Sequence, residues 1–175
     1  MTNTQAWQNR IVGYGEEPPE QLLANPRNFR VHERFQQDAL SGVLESVGVV
    51  QNVICNRTTG HLIDGHLRVT LAMRANQPSI PVTYVELSPE EEALVLATFD
   101  PITALAATDE AQLRDLLAEV ETEDAAIQAL LNDLANDAGV ASSDDAEAKP
   151  KAKKEAPVVL CPECGHAFVP AMNRD

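Results

Sequence analysis

The chain has 175 residues, 44% of them hydrophobic and 23% charged, and a formal net charge of -14 from 13 Lys and Arg against 27 Asp and Glu. So acidic a chain is not a general nucleic-acid coat, because that role needs a basic face for phosphates, and any contact with DNA must come from a local site or a partner. Residues 1–8 are polar, without a signal peptide's apolar region, no apolar run approaches the ~20 residues that span a bilayer, and three cysteines make no disulfide framework, so a cytoplasmic protein with no membrane partner is expected.

Residues 1–19 are expected to form an N-terminal arm and residues 18–30 a loop or short strand, with Asn25-Pro26 as a turn signal. In residues 36–47, Leu40, Val43, Leu44 and Val47 recur at helical spacing, and Gly48 follows as a C-cap glycine would. Residues 49–56 are β-rich, 57–60 read as a turn, and 61–64 as a second short strand, together a hairpin. Gly65 ends it; a helix over 66–75 and a strand over 80–87 come next. Ser88-Pro89-Glu90-Glu91 has a helix start's N-cap, first-turn proline and acids. That helix is expected to run to Phe99 and break at Pro101, with further helices from Asp109 and over 123–135.

Charge follows this order. Residues 1–100 carry 7 Arg and 12 acids, 101–148 carry one Arg and 12 acids, and 149–175 carry 5 bases and 3 acids, so the acidity peaks in the middle. That suits a solvated helical face or an arm for a basic partner. The expected organisation is a domain over 20–108, an acidic helical extension over 109–137, a disordered linker over 138–157 and a Cys-x-x-Cys tail over 158–175.

The main chemical candidate is Ile63-Asp64-Gly65-His66-Leu67-Arg68. A strand ends, a glycine permits an unusual turn, and a helix begins with an arginine in its first turn. The free N–H groups and positive dipole end of such a helix favour an anion. Arg68 adds a bidentate phosphate donor, and His66 adds a donor or, when neutral, a general base. Asp64 could hold a metal, orient His66, or cap the following helix.

Arg27, Arg30 and Arg34, with Phe29 and His32 between them, form a local basic cluster suited to nucleotide or DNA phosphates, or to pairing with neighbouring acids such as Glu33. Cys55, mid-strand, reads as a small buried hydrophobe. In the tail, Cys161 and Cys164, with His166 as a third candidate, look like half of a zinc ribbon. A closed Zn2+ site needs four ligands, so another copy or a partner would complete it. A bare tail and a redox pair remain alternatives.

Several of these segments resemble the N-terminal domain of ParB proteins, in the ParB/sulfiredoxin superfamily. The resemblance lies in NPRNFR (25–30), ESVGVVQNVI (45–54), HLIDGHLRVTLAMRA (61–75) and IPVTYVELSPEEEALVLA (80–97). It covers residues ~20–100 in order and spacing. The opening over 9–32 and DPITALAATD (100–109) resemble a subgroup from phages and mobile elements, often beside or fused to DNA methyltransferases. The resemblance implies a small α+β domain, with a mixed short sheet and flanking helices, that binds CTP (with Mg2+) or ATP. Gly65 and Arg68 match the glycine and final arginine of the superfamily's phosphate turn, and Gln51 matches the glutamine of the ParB strand.

The departures are specific. His66 stands where the family has Glu or Cys, which removes the sulfiredoxin nucleophile and the ParB residue expected to support metal and hydrolysis. Leu67 replaces a second Arg or a His. At 100–104, where the family has E-N-x-x-R, only Asp100 keeps the pattern. The acidic helices offer no basic recognition helix, so this is not a complete centromere-binding ParB.

The expected function is therefore a ParB-like accessory protein that binds a nucleotide through Gly65, His66, Arg68 and Gln51. It would act with a DNA methyltransferase or other phage DNA-processing protein, with weak or indirect DNA contact and a homodimer as a candidate state. The alternatives are a weak NTPase or nuclease with His66 and Asp64 as its reactive pair, and a protein-interaction module with a degenerate pocket.

Overall fold

The computed structural model describes residues 6–140 and the backbone of two short strands at 159–160 and 167–168. The first unit contains a four-stranded sheet in the order β1-β4-β2-β3: β1 Ile11–Glu17, β2 Val53–Asn56, β3 Leu62–Asp64 and β4 Ile80–Val85. β2 runs parallel to β4, while β1 pairs antiparallel with β4 and β3 antiparallel with β2. The expected mixed short sheet with flanking helices is what forms. The two remaining strands, β5 Val159–Leu160 and β6 Ala167–Phe168, pair antiparallel in a separate unit. Cys161, Cys164 and His166, proposed as metal ligands, lie outside the described residues, as does the linker beyond residue 140.

The strand alternation of β2 sends its side chains to two cores. Val53 and Cys55 join Leu62, Ile80 and Val82 beneath Val69 and Ala72 of helix α2, His66–Arg74. On the other side Ile54 packs with Ile63, Leu87 and Leu96, the last from helix α3, Pro89–Ala104. Cys55 is buried, as a small hydrophobe in a central strand should be.

Ile11–Glu17, assigned above to an arm, is an edge strand of this sheet. Its composition hides it, since two glycines and two glutamates are poor strand formers. The glycines fit the packing instead. A Cβ on Gly15 would stand 3.2 Å from Tyr84 Cε2, so the Tyr84 ring lies where larger side chains would crowd it. Arg57 stacks on that ring at 4.7 Å, and the Tyr84 hydroxyl donates to Glu17. Trp7 is fully exposed and Tyr14 largely so; neither packs onto the domain.

α3 opens with a full capping box, in which Ser88 Oγ accepts from Glu91 N–H and Glu91 accepts from Ser88 N–H. Contrary to the expected break, it runs through Pro101. Proline removes only one helix hydrogen bond. The carbonyl it leaves unmet belongs to Ala97, an exposed residue on the solvent side of the helix. Asp100 is also held by an ion pair to Arg30.

Helix α1, Arg34–Ser46, buries Ala39 and Gly42 most deeply, while Val47 of the expected apolar stripe is exposed. Small residues win because another helix approaches there. Helix α5, Ala125–Asp137, packs against α1, and Gly42 lies against the Asp124 carboxyl that caps α5. The acidic stretch is thus helical, and its α5 is docked on the domain. Between them, α4, Glu110–Glu119, buries no residue. Among the described residues no helix is long and apolar enough to cross a membrane.

Candidate functional site

Gly65 is the N-cap of α2, at φ +90° and ψ 16°, in the left-handed region that side chains avoid. A Cβ there would lie 2.5 Å from Val53 Cγ1. Glycine is therefore needed twice, for the dihedral and for the close passage of the turn over β2. No side chain caps α2, whose first internal bond runs from Val69 N–H to Gly65 C=O. The N–H groups that no side chain caps at this pole are the feature that suits an anion, although Gly65 and Leu67 are themselves buried.

The side chains around it are already partnered. Arg68 donates from Nη2 to Asp64 Oδ2 at 2.6 Å and to Asn52 O at 3.4 Å, and from Nη1 to Gln51 Oε1 at 3.1 Å. Its Nε is buried without a partner. Gly65, Arg68, Gln51 and Asp64 thus come together, with Asp64 bound to Arg68 rather than capping the helix. His66 turns away from this cluster. Its Nε2 accepts the Asn25 backbone N–H at 3.2 Å, which places its single proton on Nδ1. Burial pulls the His66 pKa down; Asp64 opposes this, while Arg30 and His32 add to it. The ring is therefore neutral near pH 7. Among the described residues no hydrogen bond joins Asp64 to His66, and no cluster of three or more His, Cys, Asp or Glu could hold a metal.

The basic cluster divides. Arg27 donates to Pro89 O at 3.3 Å, Arg34 pairs with Asp38 on the surface at 3.5 Å, and Arg30 pairs with Asp100 at 2.6 Å. Only Arg30 faces the turn. It stands between two clefts. One, of about 390 Å³ between residues 22–32, α1 and α2, is lined by Arg30, His32, His66 and Arg74 over an apolar wall including Leu67 and Met73, with no carboxylate. The other, of about 480 Å³ against α3, is lined by Arg30, Gln51, Asp64 and Asp100 beside Ile63 and Phe99.

A buried polar knot holds the turn's neighbours, and the sequence marks none of its members as buried or as part of the site. Glu92 is only 3% exposed, and its carboxylate accepts from Asn25 Nδ2 at 2.8 Å, Asn56 Nδ2 at 2.7 Å and Thr59 Oγ1 at 2.5 Å. Burial pushes its pKa up, but the three donors and His61 outweigh that and hold it below the usual carboxylate range. Asn56, fully buried, also accepts from Leu87 N–H and Thr58 N–H and donates to Leu87 O. The knot ties the segment carrying Arg27 and Arg30 to the hairpin and to α3. The one local signal was Asn25 before Pro26, which read only as a turn.

No family model matches the chain, and no curated protein matches it. Among solved structures it is similar to a C-terminally truncated chromosome-partitioning protein ParB from Caulobacter crescentus complexed with CTP-gamma-S, at 24% identity and a TM-score of 0.47, over 61% of this chain and 63% of that one. It is also similar to a Pnob8-like ParB-N domain, at 13% identity and a TM-score of 0.45, over 90% of this chain and 57% of that one. The chain thus spans less than two thirds of the length of either.

Proposed function

We propose that the chain is a nucleotide-binding module that takes the phosphates of CTP or ATP at the start of α2. One observation carries this: a helix begins on a left-handed glycine, uncapped by any side chain, with an arginine in its first turn, and Arg30 lines both of the clefts that flank it, one reaching His66 and the other Asp64. Backbone N–H groups and the helix dipole supply the anion site, and the guanidinium groups supply charge-assisted donors. The resemblance of residues 61–75 to the ParB/sulfiredoxin phosphate turn points the same way. Mg2+, where it accompanies the nucleotide, would have Asp64 and Asp100 as nearby oxygen donors.

Action beside a DNA methyltransferase or other phage DNA-processing protein is part of the proposal and rests on the resemblance of residues 9–32 and 100–109. Weak or indirect DNA contact and a homodimer belong to it too. The enzyme alternative has less support, because the His66 Nε2 lone pair is taken by Asn25 and Asp64 is held by Arg68. The interaction-module alternative draws support from those same internal pairings, which already occupy His66 Nε2, Asp64 and both terminal nitrogens of Arg68.

Calorimetric titration with CTP and ATP, with and without magnesium, tests the proposal. Saturable binding that disappears in Arg68→Ala is expected. Absence of binding to both nucleotides at millimolar concentration, or wild-type affinity in Arg68→Ala, would overturn it.

A further inference from the structure

The nucleotide reading leaves one feature of the turn unexplained. Both arginines that could meet a phosphate are already matched to a carboxylate of the chain itself. Arg68 and Asp64 approach to 2.6 Å with side chains 14% and 33% exposed, and Arg30 and Asp100 to 2.6 Å with side chains 20% and 56% exposed. Asp64, Asp100 and Arg30 line the same cleft. The Arg68 hydrogen bonds to Asp64, Gln51 and Asn52 take three of its five N–H donors, while its Nε–H meets nothing. His66 is neutral and so adds no compensating charge. The two ion pairs cancel the charge of Arg68 and Arg30, so the cleft lined by Asp64 and Asp100 has no net positive charge, Arg74 lying in the other cleft, and Asp64 itself stands one residue before the cap of α2.

We infer that Asp64, seconded by Asp100, is a specificity-determining counter-ion: it holds Arg68 in the free chain and sets how much negative charge a ligand must bring to take its place. The inference rests on the nucleotide reading and concerns which anions satisfy it. A single phosphate offers Arg68 little that Asp64 does not already supply, and it meets repulsion from two carboxylates. A di- or triphosphate brings several oxygens to the α2 pole and both guanidinium groups at once, so it can displace Asp64 and supply an acceptor for the unmet donor of Arg68. The turn therefore selects polyphosphates over monophosphates by competition with its own side chain.

Asp64→Asn tests this, because an amide oxygen of the same size still accepts from Arg68 while the charge is gone. The probes are tripolyphosphate and orthophosphate, titrated calorimetrically into the full chain in chelator-treated, magnesium-free buffer. The wild type should prefer tripolyphosphate strongly. Asp64→Asn should bind tripolyphosphate tighter by on the order of tenfold and gain measurable affinity for orthophosphate, as removal of a like charge beside an anion site requires. Asp100→Asn, at a more exposed position, should shift affinity in the same direction by less, and it keeps the test open if Asp64→Asn does not fold. Equal or weaker binding of tripolyphosphate by both folded variants would overturn the inference while leaving the nucleotide reading intact. Wild-type failure to bind CTP, ATP and tripolyphosphate alike would overturn the nucleotide reading itself.

Discussion

The Glu92 carboxylate and the Asn25 side-chain amide meet at 2.8 Å in the interior, 67 residues apart in sequence. Through this contact the first turn of α3 holds the segment that presents Arg30 to the clefts and the Asn25 N–H to His66. An ionised group this deeply buried is tolerated because three donors surround it and because it sits in the first turn of a helix, where the dipole favours negative charge.

Removal of the carboxylate strands those donors. Glu92→Ala should cost about 3–5 kcal/mol, the range for breaking a buried, hydrogen-bonded charge site from one side. Thr59→Val, which removes one donor, should cost about 1–3 kcal/mol. Urea denaturation of each variant checks the order. The pH dependence has a definite sign. Glu92 is held below the usual carboxylate range when folded, so its contribution is fully present above its unfolded pKa and is lost as pH falls through the lower folded one. Wild-type stability should decline with acidification over that window, and Glu92→Ala should flatten the decline.

Gly65 and Gly48 share φ +90° but differ in surroundings. A Cβ at Gly48 meets nothing within 4 Å, whereas at Gly65 it strikes Val53. Gly48→Ala should cost about 1 kcal/mol for the left-handed backbone alone. Gly65→Ala should cost about 3 kcal/mol or more, since overpacking adds to strain. A Gly65→Ala cost no larger than that of Gly48→Ala, measured by denaturation, would show that β2 yields to the turn.

His66 should titrate below the ordinary histidine range. Burial is the main cause, and accepting the Asn25 N–H requires the neutral ring. A histidine depressed in the folded state contributes stability that is complete above its unfolded pKa, near 6.5, and that is lost as pH falls toward its folded pKa. Ring-proton shifts followed by NMR across the range around that value would report the midpoint directly. A midpoint above 6.5 would mean the Asn25 contact is absent in solution.

Two helix caps of the same chemistry should behave differently. Asp124 caps α5, which docks on α1, and Asp109 caps α4, which buries nothing. Asp124→Ala should lower global stability by about 1 kcal/mol, the usual worth of an N-cap. Asp109→Ala should instead loosen α4 locally, with faster amide exchange there and an unchanged global transition. A global loss in both would show that α4 is coupled to the domain more tightly than its exposure indicates.

Much of the site is local and was legible. The strand–glycine–helix turn announces itself because a glycine between a β-rich segment and an apolar helical stripe marks a special dihedral, and Asp64 and Arg68 stand four residues apart on one helix start. The capping box at Ser88 is a contiguous pattern of the same kind. β1 was missed because its reason to be glycine-rich, the Tyr84 ring, lies far downstream in the chain. The break expected at Pro101 failed because the cost of a proline depends on whether water reaches the carbonyl it leaves unmet, which is a property of the folded surface.

The sequence by itself determined where α3 starts, which turn needs glycine, and which residue types gather at the start of α2, since these depend on neighbours within about one helical turn or one hairpin. Only the tertiary structure decided that Arg30 finds Asp100, that Arg27 finds the start of α3, and that an unremarkable Glu92 becomes the buried anchor of the segment beneath the site. Charge pairing and burial are set by which distant surfaces meet, and a one-dimensional pattern of 13 bases and 27 acids allows too many pairings to name the ones that form.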